Sequence, residues 1–288
     1  VYIQKCREAI TAVRQIDPQA RFAAHGATAI QGRKDDIWQL WHQTVLKELG
    51  SEIDYLVYYH GVAISRHEGI LDTIRNDIQA ITGSDRIKFY ISEQARWFEK
   101  QDKNKWFWTH ALCGCLSTAH WISHILQRSD VALMNYHCLS IGLESGPWNM
   151  VCRDTNAQVL FTTGIADLYK LLTREMTGKV IQRELQGEDT VANLTLSLTA
   201  AREGNRLKLL LVNSATNQMR EMAFTFEPAQ RYQIELEWVL TAPDLNSKNT
   251  ATNKPIKVIV RNLSQDLDKY LAPPKCGGAA GGEDMKKP

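Results

Sequence analysis

Arg86-Ile87-Lys88-Phe89-Tyr90-Ile91-Ser92-Glu93-Gln94-Ala95-Arg96-Trp97-Phe98 is the stretch whose reading decides the fold. Ile87 to Ile91 is rich in β-branched and aromatic residues, the composition of a buried strand. The strand delivers one carboxylate, Glu93, to its C-terminal end, and Trp97 follows four residues on. In a parallel α/β barrel the chemistry sits at the C-terminal ends of the strands, so an acid there reads as catalytic. The plainer alternative is a solvated carboxylate at a strand end, and a lone acid does not separate the two.

On the N-terminal side of this stretch, helical and strand patterns alternate. Tyr2 to Ile16 places Ile3, Cys6, Ala9, Ile10 and Val13 close to helical spacing, and Asp17-Pro18 stops the run. Arg21 to Ala24 reads as a short strand leading into His25-Gly26-Ala27. Asp35 to Leu49 is helical, with Gly50 as its stop. Ile53 to Tyr59 is a second strand, ending in Tyr58-Tyr59-His60-Gly61. Glu68 to Ile81 is a helix closed by Gly83. Beyond the pivotal strand come a helix from about Lys105 to Gln127 and a fourth strand, Val131 to Met134, which runs into Asn135-Tyr136-His137. Strands alternating with helices of this length predict a parallel sheet with crossover helices. Tyr59, His60 and His137 then share the strand-end face with Glu93.

After about Trp148 the grammar changes. Val191 to Leu198 and Leu207 to Val212 alternate, and strand-like runs follow at Glu221 to Phe226, Tyr232 to Leu240 and Ile256 to Val260. Turn formers such as Glu203-Gly204-Asn205 separate them, which predicts an antiparallel β-sandwich. The expected organisation is a half-barrel over residues 1–148, a sandwich over 149–265 and a flexible Gly/Ala/Lys-rich tail over 266–288.

Composition narrows the function. The chain has 288 residues, 44% of them hydrophobic, and a net charge of +2. That charge is too small to argue for nucleic acid or an anionic membrane surface. No apolar run approaches the length of a membrane span, and no signal peptide pattern is present. Val1 opens directly into a helical segment, which predicts a fragment or a processed piece of a longer polypeptide. Cys113 and Cys115 read as small core residues, and Cys6, Cys138, Cys152 and Cys276 are scattered without zinc-type spacing. Disulfides are neither required nor excluded. Asn193-Leu194-Thr195 and Asn262-Leu263-Ser264 match the short glycosylation pattern.

Three places carry a family likeness. Cys6 to Gly26, with Arg14 and Asp17-Pro18, is a helix-to-strand passage. Ser92-Glu93 with Trp97 forms a strand-end acid and aromatic. Leu240-Thr241-Ala242-Pro243-Asp244-Leu245-Asn246-Ser247-Lys248-Asn249-Thr250, with Asn253-Lys254-Pro255-Ile256-Lys257-Val258, is the most specific. Together, up to about Val260, they resemble the C-terminal part of a clan-A glycoside hydrolase of the family-51 α-L-arabinofuranosidase type. The resemblance implies the C-terminal half of a (β/α)8 TIM barrel, α/β in class, followed by an all-β sandwich. It implies Glu93 as catalytic nucleophile and Trp97 as a sugar-stacking wall, with no cofactor and no metal. It also implies a carbohydrate substrate and an extracellular location.

Retaining glycosidases place two carboxyls roughly 5–5.5 Å apart, one attacking the anomeric carbon and the other protonating the leaving oxygen. By the resemblance, the acid/base glutamate belongs on a strand preceding Val1, and no Asn-Glu pair occurs in this sequence. The missing half-barrel is therefore expected from another polypeptide, in a complex or an oligomer. The sequence also departs from the family pattern. Tyr58-Tyr59-His60-Gly61 keeps residue types but not their order, the Gln expected near Asn135-Tyr136-His137-Cys138-Leu139 is absent, Ser92 stands where Asp is frequent, and Gln94-Ala95 replace Trp-Asn.

The remaining candidates have plain readings beside the sharp ones. His120 and His124 have the i, i+4 spacing of a metal pair, but no acid follows at a useful spacing, so with His110 they read as packing or surface histidines. His25 is either pocket-lining or structural. Trp38, Trp41, Trp106, Trp108 and Trp121 lie at helical spacing and read as core. Trp148 follows the fourth strand, where a loop residue stacks a sugar or simply packs. Two functions remain: a retaining glycosidase, or a catalytically inactive glycosidase-like structural subunit of a larger assembly.

Overall fold

A computed structural model describes residues 1–28, 37–60, 64–95, 109–140, 148–154, 156, 158–181, 196–214, 224 and 232–263. Of these, 27–28, 37–38, 59–60 and 64–68 are described by their backbone alone. Two compact units emerge, one over Val1–Met219 with Leu240–Lys257 and one over Arg220–Val239 with Val258–Pro288.

The first unit is built on helix α1 (Tyr2–Ile16), strand β1 (Ala23–Thr28), α2 (Ile37–Leu49), β2 (Tyr55–His60), α3 (Ile64–Thr82), β3 (Lys88–Gln94), α4 (Leu112–Ile125) and β4 (Val131–Tyr136). The four strands form one parallel sheet in the order β1-β2-β3-β4, as the alternation predicts. Alternate strand residues Ala24, Leu56, Tyr58, Phe89 and Ile91 turn to one face. There they meet Ile10 of α1, Val45, Leu46 and Leu49 of α2, Leu71, Ile74 and Ile78 of α3, and Trp121 and Ile125 of α4. The period of two in the strands and the helical period in the crossovers thus close one core. The opposite face carries His25, Tyr90, Leu133 and Asn135, with Leu133 49% exposed. A parallel sheet ordinarily has both faces covered.

Some boundaries differ from the sequence reading. The first strand begins at Ala23 and runs to Thr28, so His25 lies inside it rather than beyond its end. Helix α3 starts at Ile64, ahead of Glu68. Trp41, expected in the core, is 39% exposed. Its ring lies against Tyr2 at 5.2 Å and its indole N–H donates to the His25 carbonyl at 3.1 Å. That polar handle holds it at the boundary. Trp121 is buried as expected; Trp106 and Trp108 and the side chain of Trp38 lie outside the described residues.

After β4 come an antiparallel pair, β5 (Val151–Asp154) and β6 (Val159–Thr162), helix α5 (Gly164–Glu175), and an antiparallel sheet of β7 (Lys179–Ile181), β8 (Leu196–Glu203) and β9 (Arg206–Asn213). Helix α5 was not read from the sequence. Ile165, Leu168 and Leu172, all buried, give it a helical stripe, and Asp167 sits favourably in its first turn.

Helix α4 is buried nearly all round because it serves two cores. Trp121 and Ile125 face the parallel sheet, whereas Cys115, Ala119 and Ile122 meet Ile165, Leu168, Leu172, Val212 and Ile256. Gly164 is where α5 comes closest: a Cβ there would lie 2.5 Å from Ile256 Cδ1 and 2.8 Å from Cys115 Sγ. The start of α4 has no side-chain cap. Its amides at Leu112 and Cys113 donate instead to the carbonyls of Ser247 at 3.0 Å and Leu245 at 2.9 Å. The loop that supplies them is shaped by Asp244, whose Oδ1 accepts from the Asn246 amide at 2.7 Å. Asn249, buried, ends the loop by donating to Asp167 at 3.1 Å and accepting from the Ile256 amide at 3.1 Å.

Strands β10 (Leu236–Thr241) and β11 (Lys257–Asn262) pair, with Leu236–Val239 and Val258–Asn262 in the second unit. Arg261 donates to Glu237 at 2.9 Å, and the Leu263 amide donates to the Glu235 carbonyl at 3.0 Å. The strand expected at Glu221 to Phe226, apart from Phe224, and the C-terminal tail lie outside the described residues.

Candidate active site at the carboxyl end of the parallel sheet

Against β2 the pivotal strand is regular up to Ile91 and then changes phase; against β4 an earlier shift falls between Phe89 and Tyr90. Tyr58 of β2 pairs with Ile91, but the next residue, Tyr59, pairs with Glu93. On the other side Met134 of β4 pairs with Ile91 and Tyr136 with Gln94. Both neighbours therefore skip one residue of β3, the signature of a β-bulge at Ser92-Glu93. Phe89, Ile91 and Gln94 are buried, while Ser92 and Glu93 are both only partly buried. In an unbroken strand Glu93 would share a face with Phe89 and Ile91. The bulge keeps the carboxylate out of the helix-packed core.

Glu93 meets residues from beyond β4. Its Oε2 lies 3.3 Å from His137 Nδ1, with the two side chains 43% and 25% exposed. The His137 amide donates to the Gln94 carbonyl at 2.9 Å, and its ring lies 5.6 Å from that of Trp148, tilted by 56°. Trp148 is brought there by a backbone crossing in which the Cys138 amide donates to the Trp148 carbonyl at 3.4 Å and the Met150 amide to the Cys138 carbonyl at 3.1 Å. Glu93, His137 and Trp148 are thus linked in one row.

The register also puts the backbone of Tyr59 and His60 beside Glu93 and Gln94. The side chains of those two residues, and all of Trp97, lie outside the described residues. His25 sits in the interior of β1. His120 and His124 lie on α4, ahead of β4, with their rings edge-on to one another at 4.9 Å. His110 is buried just ahead of that helix.

Three features escaped the sequence reading. Gln94 points away from Glu93 and donates its amide to the hydroxyl of Tyr169 on α5. The Tyr169 ring packs on Tyr136 at 5.2 Å. Burial pushes both phenols above their ordinary range, and the bond from Gln94 only partly offsets this for Tyr169. Cys138 stands next to His137, its thiol pushed up first by burial and then by the negative charge of Glu93. It stays a neutral group beside the carboxylate. On the open face, Asn135 donates to the Tyr90 hydroxyl at 2.6 Å and ties β4 to β3. The signal for the bulge was present: Ser92, Glu93 and Gln94 break the alternation that Phe89 and Ile91 establish.

This arrangement offers a carboxylate with one oxygen against an imidazole and, among the described residues, no partner on the other, with an indole next in the row. Such a carboxylate serves as a nucleophile or as a general base.

No protein-family description matches the chain, and no curated protein matches it either. Solved structures do. A family-51 α-L-arabinofuranosidase from Bifidobacterium longum, AbfB, superposes with a TM-score of 0.61 at 12% identity over 91% of this chain. In fold, this chain resembles the family-51 α-L-arabinofuranosidases. The GH51 arabinofuranosidase from Xanthomonas axonopodis pv. citri superposes with a TM-score of 0.56, again at 12% identity over 91% of the chain. The chain spans 58% of the length of each of these family-51 proteins. At that identity the likeness is one of fold, and the chemistry has to come from the residues themselves.

Proposed function

We propose that this chain is the C-terminal portion of a retaining glycoside hydrolase that acts on α-L-arabinofuranosides or a related glycan. The observation that carries the reading is the bulge at Ser92, which keeps Glu93 out of the core at the carboxyl end of a parallel strand. There Glu93 sits beside His137, with Trp148 next in the row. Residues to about 148 supply four units of a (β/α)8 barrel, and those to about 265 form the sandwich. The half-covered parallel sheet supports completion of the barrel by another polypeptide, which carries the acid/base carboxyl.

Glu93 is the nucleophile. Its carboxylate attacks the anomeric carbon and forms a glycosyl ester, while the glycosidic C–O bond breaks and its electron pair goes to the leaving oxygen. The acid/base carboxyl on the completing half gives that oxygen its proton. The same group then takes a proton from water, which attacks the anomeric carbon and releases Glu93 as a carboxylate. Trp97, Tyr59, His60 and Trp148 line the sugar site.

The test uses the complete protein, this chain together with the polypeptide that completes its barrel. Glu93→Gln preserves shape but cannot form the ester, so turnover of a nitrophenyl α-L-arabinofuranoside falls to background while the melting temperature holds. A mechanism-based 2-fluoro furanoside labels Glu93 in the parent protein. Failure to hydrolyse any arabinoside, xyloside or glucoside, with Glu93 unlabelled, overturns the reading and leaves the inactive structural subunit.

A further inference from the structure

The pair formed by Glu93 and His137 has a directionality that the nucleophile assignment does not use. We infer that His137 is a positioning residue for the Glu93 carboxylate rather than part of the sugar wall; this rests on the proposed glycosidase reading. Three constraints fix the imidazole. Its backbone amide is bound to the Gln94 carbonyl at 2.9 Å, its ring lies on Trp148, and its Nδ1 lies 3.3 Å from Glu93 Oε2. At that distance the two atoms form a charge contact, and a carboxylate, which can only accept, favours a hydrogen on Nδ1 over a bare lone pair. Glu93 thereby biases the tautomer of His137, and His137 in return lies against Oε2. Among the described residues Oε1 meets no partner, and it is the oxygen that attacks. The neighbouring Cys138 thiol is held neutral and adds no competing charge. The roles are reciprocal, and both are needed before the anomeric carbon arrives.

A sugar-contacting His137 and a positioning His137 differ in what they change. Loss of a sugar contact raises KM and leaves kcat in place, whereas loss of a positioning group lowers the rate of ester formation and leaves binding in place. His137→Asn puts an amide N–H close to where Nδ1 stood; His137→Ala puts none. In the complete protein, His137→Ala is expected to slow labelling of Glu93 by a 2-fluoro furanoside ~100-fold, the scale of a misplaced reacting group, at unchanged inhibitor affinity. His137→Asn is expected to recover most of that rate. Nitrogen-15 spectra of His137 should show the Nδ1-protonated tautomer in the parent and lose that preference in Glu93→Gln.

Unchanged labelling in His137→Ala, or an Asn variant that only weakens affinity, overturns the inference. If the parent never labels Glu93, the glycosidase reading fails by itself. The spectra then still decide the pairing, because a tautomer indifferent to Glu93→Gln overturns it without any catalysis.

Discussion

Gln94 donates its side-chain amide to the hydroxyl of Tyr169, fastening the residue next to Glu93 to helix α5. Two adjacent side chains of one strand thus point to opposite faces with different duties. One is presented to the open end of the sheet; the other locks the strand to the helix that follows the parallel unit.

Gln94 is buried and Tyr169 half-buried, so neither tolerates losing the other. Gln94→Leu leaves the Tyr169 hydroxyl without its donor, and Tyr169→Phe leaves the Gln94 amide without its acceptor. Each single change is expected to cost about 1–3 kcal/mol in urea unfolding. The double variant is expected to cost less than the two singles added, since it strands nothing. Additive losses would show that the bond carries no coupling.

Ser92 is the extra residue of the bulge, so its deletion brings β3 from Tyr90 onward back into step with both neighbours. Glu93 then still opposes Tyr59 and Gln94 still opposes His60, and the core residues Phe89 and Ile91 keep their face. The expected result is a near-parental melting temperature with turnover reduced ~100-fold, because the local bend that aims the carboxylate is gone. A large loss of stability would contradict it.

Asn249 and Asp167 make a pair whose members are not equivalent. Asn249→Ala strands both the Asp167 carboxylate and the Ile256 amide, and is expected to cost about 1–3 kcal/mol. Asp167 behaves differently, because burial raises its carboxyl above the ordinary value of 3.8, against the pull of Lys254, Lys170 and Asn249. The folded state then binds this proton more tightly than the unfolded chain does. The group favours folding below its ordinary value and loses that contribution as pH rises through the higher folded value. Asp167→Asn is therefore expected to gain on the parent as pH rises above about 4. Thermal melts of both proteins across pH 3 to 7 would check it, and a gain in the opposite direction would refute it.

Gly164 tolerates no side chain at its present distance from Cys115 and Ile256. Gly164→Ala forces α5 away from α4, and a cost of about 1–3 kcal/mol is expected. Denaturant titration reads it. Trimming Ile256 to Val in the same chain should recover part of the loss, since its Cδ1 is the nearer obstacle.

The parallel half of the fold was legible because its signals are local and redundant. Phe89 and Ile91 alternate, Leu71, Ile74 and Ile78 repeat at helical spacing, and Gly50 and Gly83 mark the stops. That Glu93, His137 and Trp148 lie at the same end of the sheet was legible for the same reason, since each sits at the end of a strand or in the loop beyond one. Helix α5 was missed because its stripe of Ile165, Leu168 and Leu172 lies in the stretch before Val191, which the sandwich reading covers without an element of its own. Trp41 was misplaced because helical spacing assigns a face but not the depth at which a ring stops. The break in alternation at Ser92-Glu93-Gln94 hinted at the bulge, but its place is a property of pairing, fixed by Tyr59 opposite Glu93 and Tyr136 opposite Gln94. The Gln94–Tyr169 lock joins residues whose separation no periodicity encodes.

The cap on helix α4 has a consequence for how the chain folds. The first turn of α4 finds its acceptors at Leu245 and Ser247, more than a hundred residues later. Until that loop arrives, the helix shared by both cores has a frayed start, and closing so long a loop carries a large entropic cost. Native packing around α4 is therefore a late event on the folding path, reached only after synthesis has passed Ser247. A nascent chain cut short of that point would hold the parallel sheet with the start of α4 still uncapped.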